Sequence, residues 1–376
     1  MSTILEGFAS GKGTFVAREP GLRFEMTRTD AGIFLNAIQA SAAGERRAST
    51  PVAWVYGAGD ADEVYFGWHG DRLYELPISW LHPQQCWGIS PPYRYSIQQD
   101  FSREATPRCV ECHNTWVGHL AGTLNQYRRD GAIVGVTCER CHGPGREHLA
   151  FHEAHPEART GEYIVHPGSL SRERQIDVCA QCHSNAIKHR TPPFTYRPGH
   201  ALEESFKTLS TKYAEDDRVA NQTQYLRRSK CFQKSDTMTC LTCHDPHSPK
   251  SPAATAAVAA ACLKCHAPAD CMEQPRLPSA VRGDCAGCHM PKGVKINVHF
   301  HTEDEEYVAP ILRAQHRIAI YPAARQAVLL AWYRTQTDAG SRQEADRLAN
   351  ELVAHWQAEA DECRKAYRFT GAIAAL

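Results

Sequence analysis

The chain reads as α+β in three parts: an antiparallel β region over residues 1–97, a segment of loops and short helices over 98–305, and an α-helical hairpin over 306–376. Three patterns carry that division. Leu22, Phe24 and Met26 alternate with Arg23, Glu25 and Thr27, the period of a half-buried strand. Six copies of Cys-x-x-Cys-His lie between residues 109 and 289. Ala345, Leu348, Leu352, Trp356, Ala360, Cys363 and Tyr367 recur at helical spacing.

In the first part, Ile33–Ile38, Val52–Tyr56, Val64–Trp68 and Leu73–Leu76 are further runs rich in β-branched and aromatic residues. Glu19-Pro20-Gly21, Asp30-Ala31-Gly32, Gly57-Ala58-Gly59-Asp60 and Gly70-Asp71 punctuate them as turns, which suits a meander. The remainder, up to Pro91-Pro92, reads as a linker. The middle part is rich in Pro, Gly and His, with one clear helix: Ser251 as cap, Pro252 in the first turn, then Ala253–Leu263 leading to Cys262. In the last part Ser341 and Glu344 have the spacing of a capping box. Val328, Leu329 and Trp332 belong to a preceding helix, with Asp338-Ala339-Gly340 as the connection.

The six motifs pair Cys109 with Cys112, Cys138 with Cys141, Cys179 with Cys182, Cys240 with Cys243, Cys262 with Cys265, and Cys285 with Cys288. Each is followed at once by a histidine: His113, His142, His183, His244, His266 and His289. This is the spelling of a c-type haem attachment site. The thiols add across the haem vinyl groups, and the histidine is the proximal iron ligand. Structural zinc gathers thiolates in fours or pairs them with distant histidines, and does not demand His after the second Cys every time. The expectation is therefore six haem c groups, with the middle segment organised around stacked haems whose apolar faces supply buried surface. Cys86, Cys231, Cys271 and Cys363 remain, and spacing assigns them no partner.

Lys plus Arg equals Asp plus Glu at 42 each, and there is no basic block, so nucleic acid is not an expected partner. The longest Ala-rich stretch, Ala253–Cys262, is too short and too weakly apolar to span a bilayer. Haem is attached to cysteine outside the bacterial cytoplasm, so the expected location is periplasmic or extracellular. Residues 1–11 hold no basic start followed by a long apolar run. The expectation is a start upstream, or a chain given in incomplete or processed form.

Fourteen of the 20 histidines lie outside the motifs, more than six irons need as distal ligands. His148 follows the tight Gly-Pro-Gly after Cys141-His142, and His247 sits in Cys243-His244-Asp-Pro-His, too close to His244 to reach the far face of the same iron. These two rank first. His299 and His301 alternate in Val-His-Phe-His, so in a strand one of them binds, with His299 favoured. His119, His152, His155, His166, His189 and His200 follow, each weighed against a surface or propionate-bonded histidine. His69 and His82 read as structural, and His316 and His355 as solvated residues on helices. Arg108, Arg140 and Arg146 are candidates to pair propionates. No residue is assigned a catalytic role.

Four stretches resemble a known family: Val136-Thr-Cys-Glu-Arg-Cys-His-Gly-Pro-Gly-Arg-Glu-His148, Asp177-Val-Cys-Ala-Gln-Cys-His183, Thr239-Cys-Leu-Thr-Cys-His-Asp-Pro-His247 and Cys285-Ala-Gly-Cys-His-Met-Pro-Lys292. With Asp71–Trp80, they are similar to the multihaem cytochromes related to the nitrifiers' tetrahaem electron carrier, in particular to bacterial members that often carry tetratricopeptide repeats. The likeness covers roughly residues 10–305. It implies a strand-rich part ahead of the haems. Relatives usually have a further haem motif and an export signal before that part, and a longer helical array after it. His166 and His200 stand where relatives often have non-ligating residues.

The reading that follows is an exported electron-transfer cytochrome, its haems largely bis-His ligated, serving redox partner proteins or self-associating into an oligomer or filament. The alternative is a reductase or oxidoreductase of small nitrogen or sulfur compounds, which needs one haem with an open axial position. The chain has no Cys-x-x-Cys-Lys, the variant that marks one class of haem nitrite reductase.

Overall fold

The computed structural model describes residues 13–57, 61–93, 101–184, 187–208, 221–248, 252–293, 300–304 and 312–366. Helices and antiparallel sheets are both present, as the α+β expectation requires. Two compact units alternate along the chain. The first takes residues 1–169, 186–219 and 297–311; the second takes 170–185, 220–296 and 312–376.

In the first unit, β1 (Thr14–Val16), β2 (Leu22–Thr29), β3 (Gly32–Ser41) and β4 (Gly44–Pro51) form an antiparallel meander. Thr29 pairs with Gly32, so Asp30-Ala31 is the turn, as the sequence signals. A second sheet runs β5 (Trp54–Tyr56), β6 (Asp62–His69), β7 (Arg72–Leu81) and β8 (Cys86–Ile89), with β9 (Arg103–Glu104) also on β7. Gly70, at φ 63°, begins the Gly70-Asp71 turn that joins His69 to its partner Arg72, a backbone state that glycine adopts without penalty. Phe15, Phe24, Met26 and Leu35 from the first sheet pack with Tyr65, Leu76, Ile78, Trp80 and Trp87 from the second. Each such burial is worth about 1.5–3 kcal/mol.

The stretch read as a linker is part of this core. Ile78, Trp80, Leu81, Trp87, Ile89 and Tyr93 are all buried. Trp80 and Trp87 meet edge-on, with ring centres 5.2 Å apart. Consecutive residues Glu75–Leu81 of β7 are buried, so the strand shows no alternation. β4 also escapes the sequence reading, because almost all of its residues are exposed and none is a large apolar. After the first motif, β10 (Asn114–His119) and β11 (Tyr127–Val134) form a two-stranded ribbon.

In the second unit, Ile176, Leu226 and Phe232 form a small cluster. Arg172 lies 3.8 Å over the Phe232 ring and donates to its carbonyl oxygen. Pro252–Ala261 is the expected Ala-rich helix and runs into the turn holding Cys262; its proposed cap, Ser251, lies outside the described residues. The hairpin is Pro322–Tyr333 and Ala339–Lys365. Ala345, Leu348 and Leu352 pack with Ala323, Leu329, Leu330, Leu277 and Val281. The cap differs from the expected one. Asp338 accepts the Ser341 N–H at 2.8 Å, and Glu344 pairs with Arg347 instead of reaching back. Aspartate satisfies an orphan N–H one turn earlier, so Ala339-Gly340 starts the helix. Tyr367 lies outside the described residues. Among the described residues, no helix is long and apolar enough to cross a membrane.

Candidate functional site

Each Cys-x-x-Cys-His occupies a single helical turn. The first ends the helix Pro107–His113, the third ends Arg172–His183 and the sixth is the short helix Cys285–His289. In the second, fourth and fifth, the histidine N–H donates to the carbonyl of the first cysteine at 2.9, 2.9 and 3.0 Å. One turn places residues i, i+3 and i+4 on the same side, so both thiols and the imidazole can address one porphyrin. None of the 16 cysteines is paired in a disulfide. Among the described residues, no three His, Cys, Asp or Glu side chains converge as a metal cage.

Three of the six motif imidazoles are held with a proton on Nδ1. His142 Nδ1 donates to the Val165 carbonyl at 2.7 Å, and His289 Nδ1 to the Ala319 carbonyl at 2.8 Å. His183 Nδ1 donates to Gln222 Oε1 at 3.2 Å. A proton fixed on Nδ1 leaves the Nε2 lone pair for a metal. His113 stacks on Tyr56, with ring centres 4.8 Å apart and planes 5° apart. Burial lowers the pKa of His113 and of His183, which disfavours the charged ring.

In the first unit the second motif opens onto a cavity of about 370 Å³ lined by His142, Gly143, Pro144, Tyr163, Val165 and Arg197, among others. Gly143, at φ 82°, turns the chain away from the motif there. A second hollow, of about 230 Å³, shares Gly143, Pro144 and Arg197 and adds Trp116 and Phe194. Apolar walls, an imidazole and an arginine suit a porphyrin with propionates. The variable positions of the first two motifs are joined. Glu111 (Cys109-Val-Glu-Cys112) and Arg140 (Cys138-Glu-Arg-Cys141) are both buried and approach to 3.8 Å. Glu111 also meets His189 Nε2 at 2.7 Å and accepts the Phe194 N–H at 2.8 Å. Burial alone would raise its pKa, but His189, the Phe194 N–H and Arg140 outweigh it and hold the carboxyl below the ordinary value.

In the second unit the motif thiols cluster. A hydrogen bond from Cys179 is the largest cause lowering the Cys240 thiol pKa. Burial raises Cys262, and the neighbouring Cys285 and Cys243 thiols add to it. Burial likewise raises Cys243, with Lys264 opposing and Cys231, Cys240 and Cys265 reinforcing. Four attachment turns are thus within electrostatic reach of one another in series.

The histidines outside the motifs are dispersed. His148 Nδ1 donates to the Glu162 carbonyl at 2.7 Å, and its ring lies 4.6 Å from that of His152. His152 Nε2 bonds the Thr160 carbonyl at 3.0 Å, and His119 Nε2 the Thr123 carbonyl at 3.0 Å. His200 lines the larger cavity with Nδ1 3.4 Å from Glu204. His247 is exposed beside Asp245, and His301 bridges β8 at Ile89. His299 lies outside the described residues. His166 has its ring centre 6.4 Å from that of His142, with the planes 83° apart. His316 is not on a helix: it occupies a half-buried bend after Arg313–Ala314. Its ring centre is 6.1 Å from that of His244. Arg108 sits over Phe206 and beside Glu111; Arg146 opens the helix Arg146–Ala154. Sequence spacing gave no sign of His316, of the Tyr56 stack, or of the Glu111–Arg140 pair.

Residues 92–143 match the family model described as cytochrome c554 and c-prime, and residues 233–270 match the model described as a doubled CXXCH motif. No curated protein and no solved structure matches the chain. The two family matches support a multihaem c-type cytochrome of the c554-like family, a haem c electron-transfer protein.

Proposed function

We propose that the chain carries six haem c groups, one on each Cys-x-x-Cys-His, and moves electrons between redox partner proteins in the periplasm or outside the cell. The observation that carries this reading is the repeated turn that aligns two thiols with an imidazole, in several cases with Nδ1 already tied to an oxygen. When bound, the haem irons would take up and release single electrons.

The protein's own groups would do the rest. The carbonyls of Val165 and Ala319 and the amide of Gln222 hold three proximal imidazoles in orientation and keep a proton on Nδ1. Tyr56 walls one face of His113. The Glu111–Arg140 contact sets the spacing of the first two sites. The clustered turns in the second unit suit transfer between adjacent groups.

The test is intact mass and a pyridine haemochrome assay on protein made in a host with c-type maturation. Six haems per chain, lost stepwise when each cysteine pair is replaced by serine, is the expected result. A colourless product with the mass of the bare polypeptide overturns the reading.

A further inference from the structure

We propose that His316 is the second axial ligand of the fourth haem, opposite His244; this rests on the haem reading above. A metal–imidazole nitrogen bond is about 2 Å. Two such bonds across one iron leave the nitrogens about 4 Å apart and the ring centres about 6 Å apart. The His244 and His316 ring centres are 6.1 Å apart, with planes within 22°. Offset ring contacts span the same separation, so the tautomer and the attachment of the His316 segment decide between the two.

His316 Nδ1 donates to the Ala314 carbonyl at 3.1 Å, which leaves Nε2 as the ligating nitrogen. The segment that carries it is strapped to the sixth motif. Lys292 pairs with Ala314 and Gly293 with Arg313. Gln315 N–H donates to the Pro291 carbonyl at 3.0 Å. At the far end Ala319 accepts from His289 Nδ1 and donates to the His289 carbonyl. The strap is thus pinned on both sides of His316 by one attachment site and presents the imidazole to another.

The first unit repeats the device. Val165 donates its N–H to the His142 carbonyl and accepts from His142 Nδ1, and the next residue, His166, comes to 6.4 Å from His142. His247, nearer to His244 in sequence, is largely exposed, and its backbone N–H is taken by the Asp245 carboxylate. It has no comparable strap among the described residues.

The angle between imidazole planes supplies a signature. Near-parallel rings on a ferric bis-His haem give a rhombic low-spin resonance, and near-perpendicular rings a single strongly shifted one. The structure assigns the first to the His244–His316 pair and contrasts it with the 83° pair at His142–His166.

The experiment uses the matured holoprotein. His316→Ala is expected to retain the haem count, to turn one haem per chain high-spin, to bind one carbon monoxide per chain when reduced, and to lose one rhombic signal that added imidazole restores. His247→Ala, at a residue too close to His244 to reach the far face of the same iron, is expected to keep the rhombic signal of the His244 haem. His316→Met covers the case in which the alanine variant fails to mature, and should show the iron–thioether charge-transfer band on one haem. An unaltered low-spin spectrum in His316→Ala with full haem content overturns the inference, and so does loss of the His244 rhombic signal in His247→Ala. Peptide mass mapping separates the two levels: no haem on the Cys240–Cys243 peptide of the unaltered protein overturns the haem reading there and this inference with it.

Discussion

The two β sheets of the first unit and the motif turns of the second bury their surface in different ways. Between the sheets, aromatic and aliphatic side chains close on one another, and Trp80, Tyr65, Phe24 and Leu35 are fully inaccessible. Around the third and fourth motifs, the buried cluster is Ile176, Leu226 and Phe232, and the loops beyond it are largely exposed. A region that fills itself needs no guest. A region whose side chains enclose so little would draw its apolar contacts from what is fastened to it, and the macrocycles of its four motifs would supply them.

The largest test of that contrast is to withhold the guest. Protein made without c-type maturation should keep slow amide exchange in β2, β3, β6 and β7. It should lose protection in Arg172–His183 and Cys285–His289. Equal protection in both regions would break the comparison.

Next comes Trp80→Ala, which should cost about 3–5 kcal/mol in the β region through cavity formation. Thermal unfolding followed by near-ultraviolet dichroism should fall sharply, while the visible haem spectrum is unchanged at low temperature. A spectrum that changes with this mutation would show that the β core shapes the haem sites after all.

A smaller effect sharpens the same line by pH. Glu75 is buried in β7 with Arg103 at 2.8 Å. Burial pushes its carboxyl from the ordinary 4.5 up to about 7, with Arg103 pulling the other way. Its folded value is raised, so the stabilisation is fully present below pH 4.5 and is lost as pH rises through about 7. Glu75→Gln should flatten that fall in chemical denaturation of the β region. A steeper fall in the variant would contradict the assignment.

The smallest is Asp338→Ala, which removes the cap of the last helix and should cost about 1 kcal/mol. Because the hairpin packs its own core of Leu329, Leu330, Leu348 and Leu352, the loss should appear as a lower melting temperature with no change in haem content. A drop in haem content would place the hairpin with the guest-dependent region instead.

What could be read beforehand follows from range. Turn chemistry and short-period alternation are local, so β2, β3, β6 and the helical hairpin are legible in residues close together. The motif turns are legible for the same reason. The second half of β7 and β8 are not, because burial on both faces removes the alternation that would announce them, and so Ile78–Tyr93 looks like a connection. Asp338 beats Ser341 as cap by one turn, a competition between two acceptable residues. The candidate distal histidines are the least legible. His166 and His316 are placed by hydrogen bonds of Val165 to His142 and of Ala319 to His289, across 23 and 30 residues, and no spacing rule encodes them.

The Glu111–Arg140 contact carries a last consequence. The residues that differ between one attachment turn and the next are a charged pair held out of water, so the first two turns share a clamp. Such a tie would couple the displacements of the two turns. Tunnelling falls off exponentially with distance, so with a haem on each turn a clamp of this kind would narrow the spread of crossing times rather than shorten the mean.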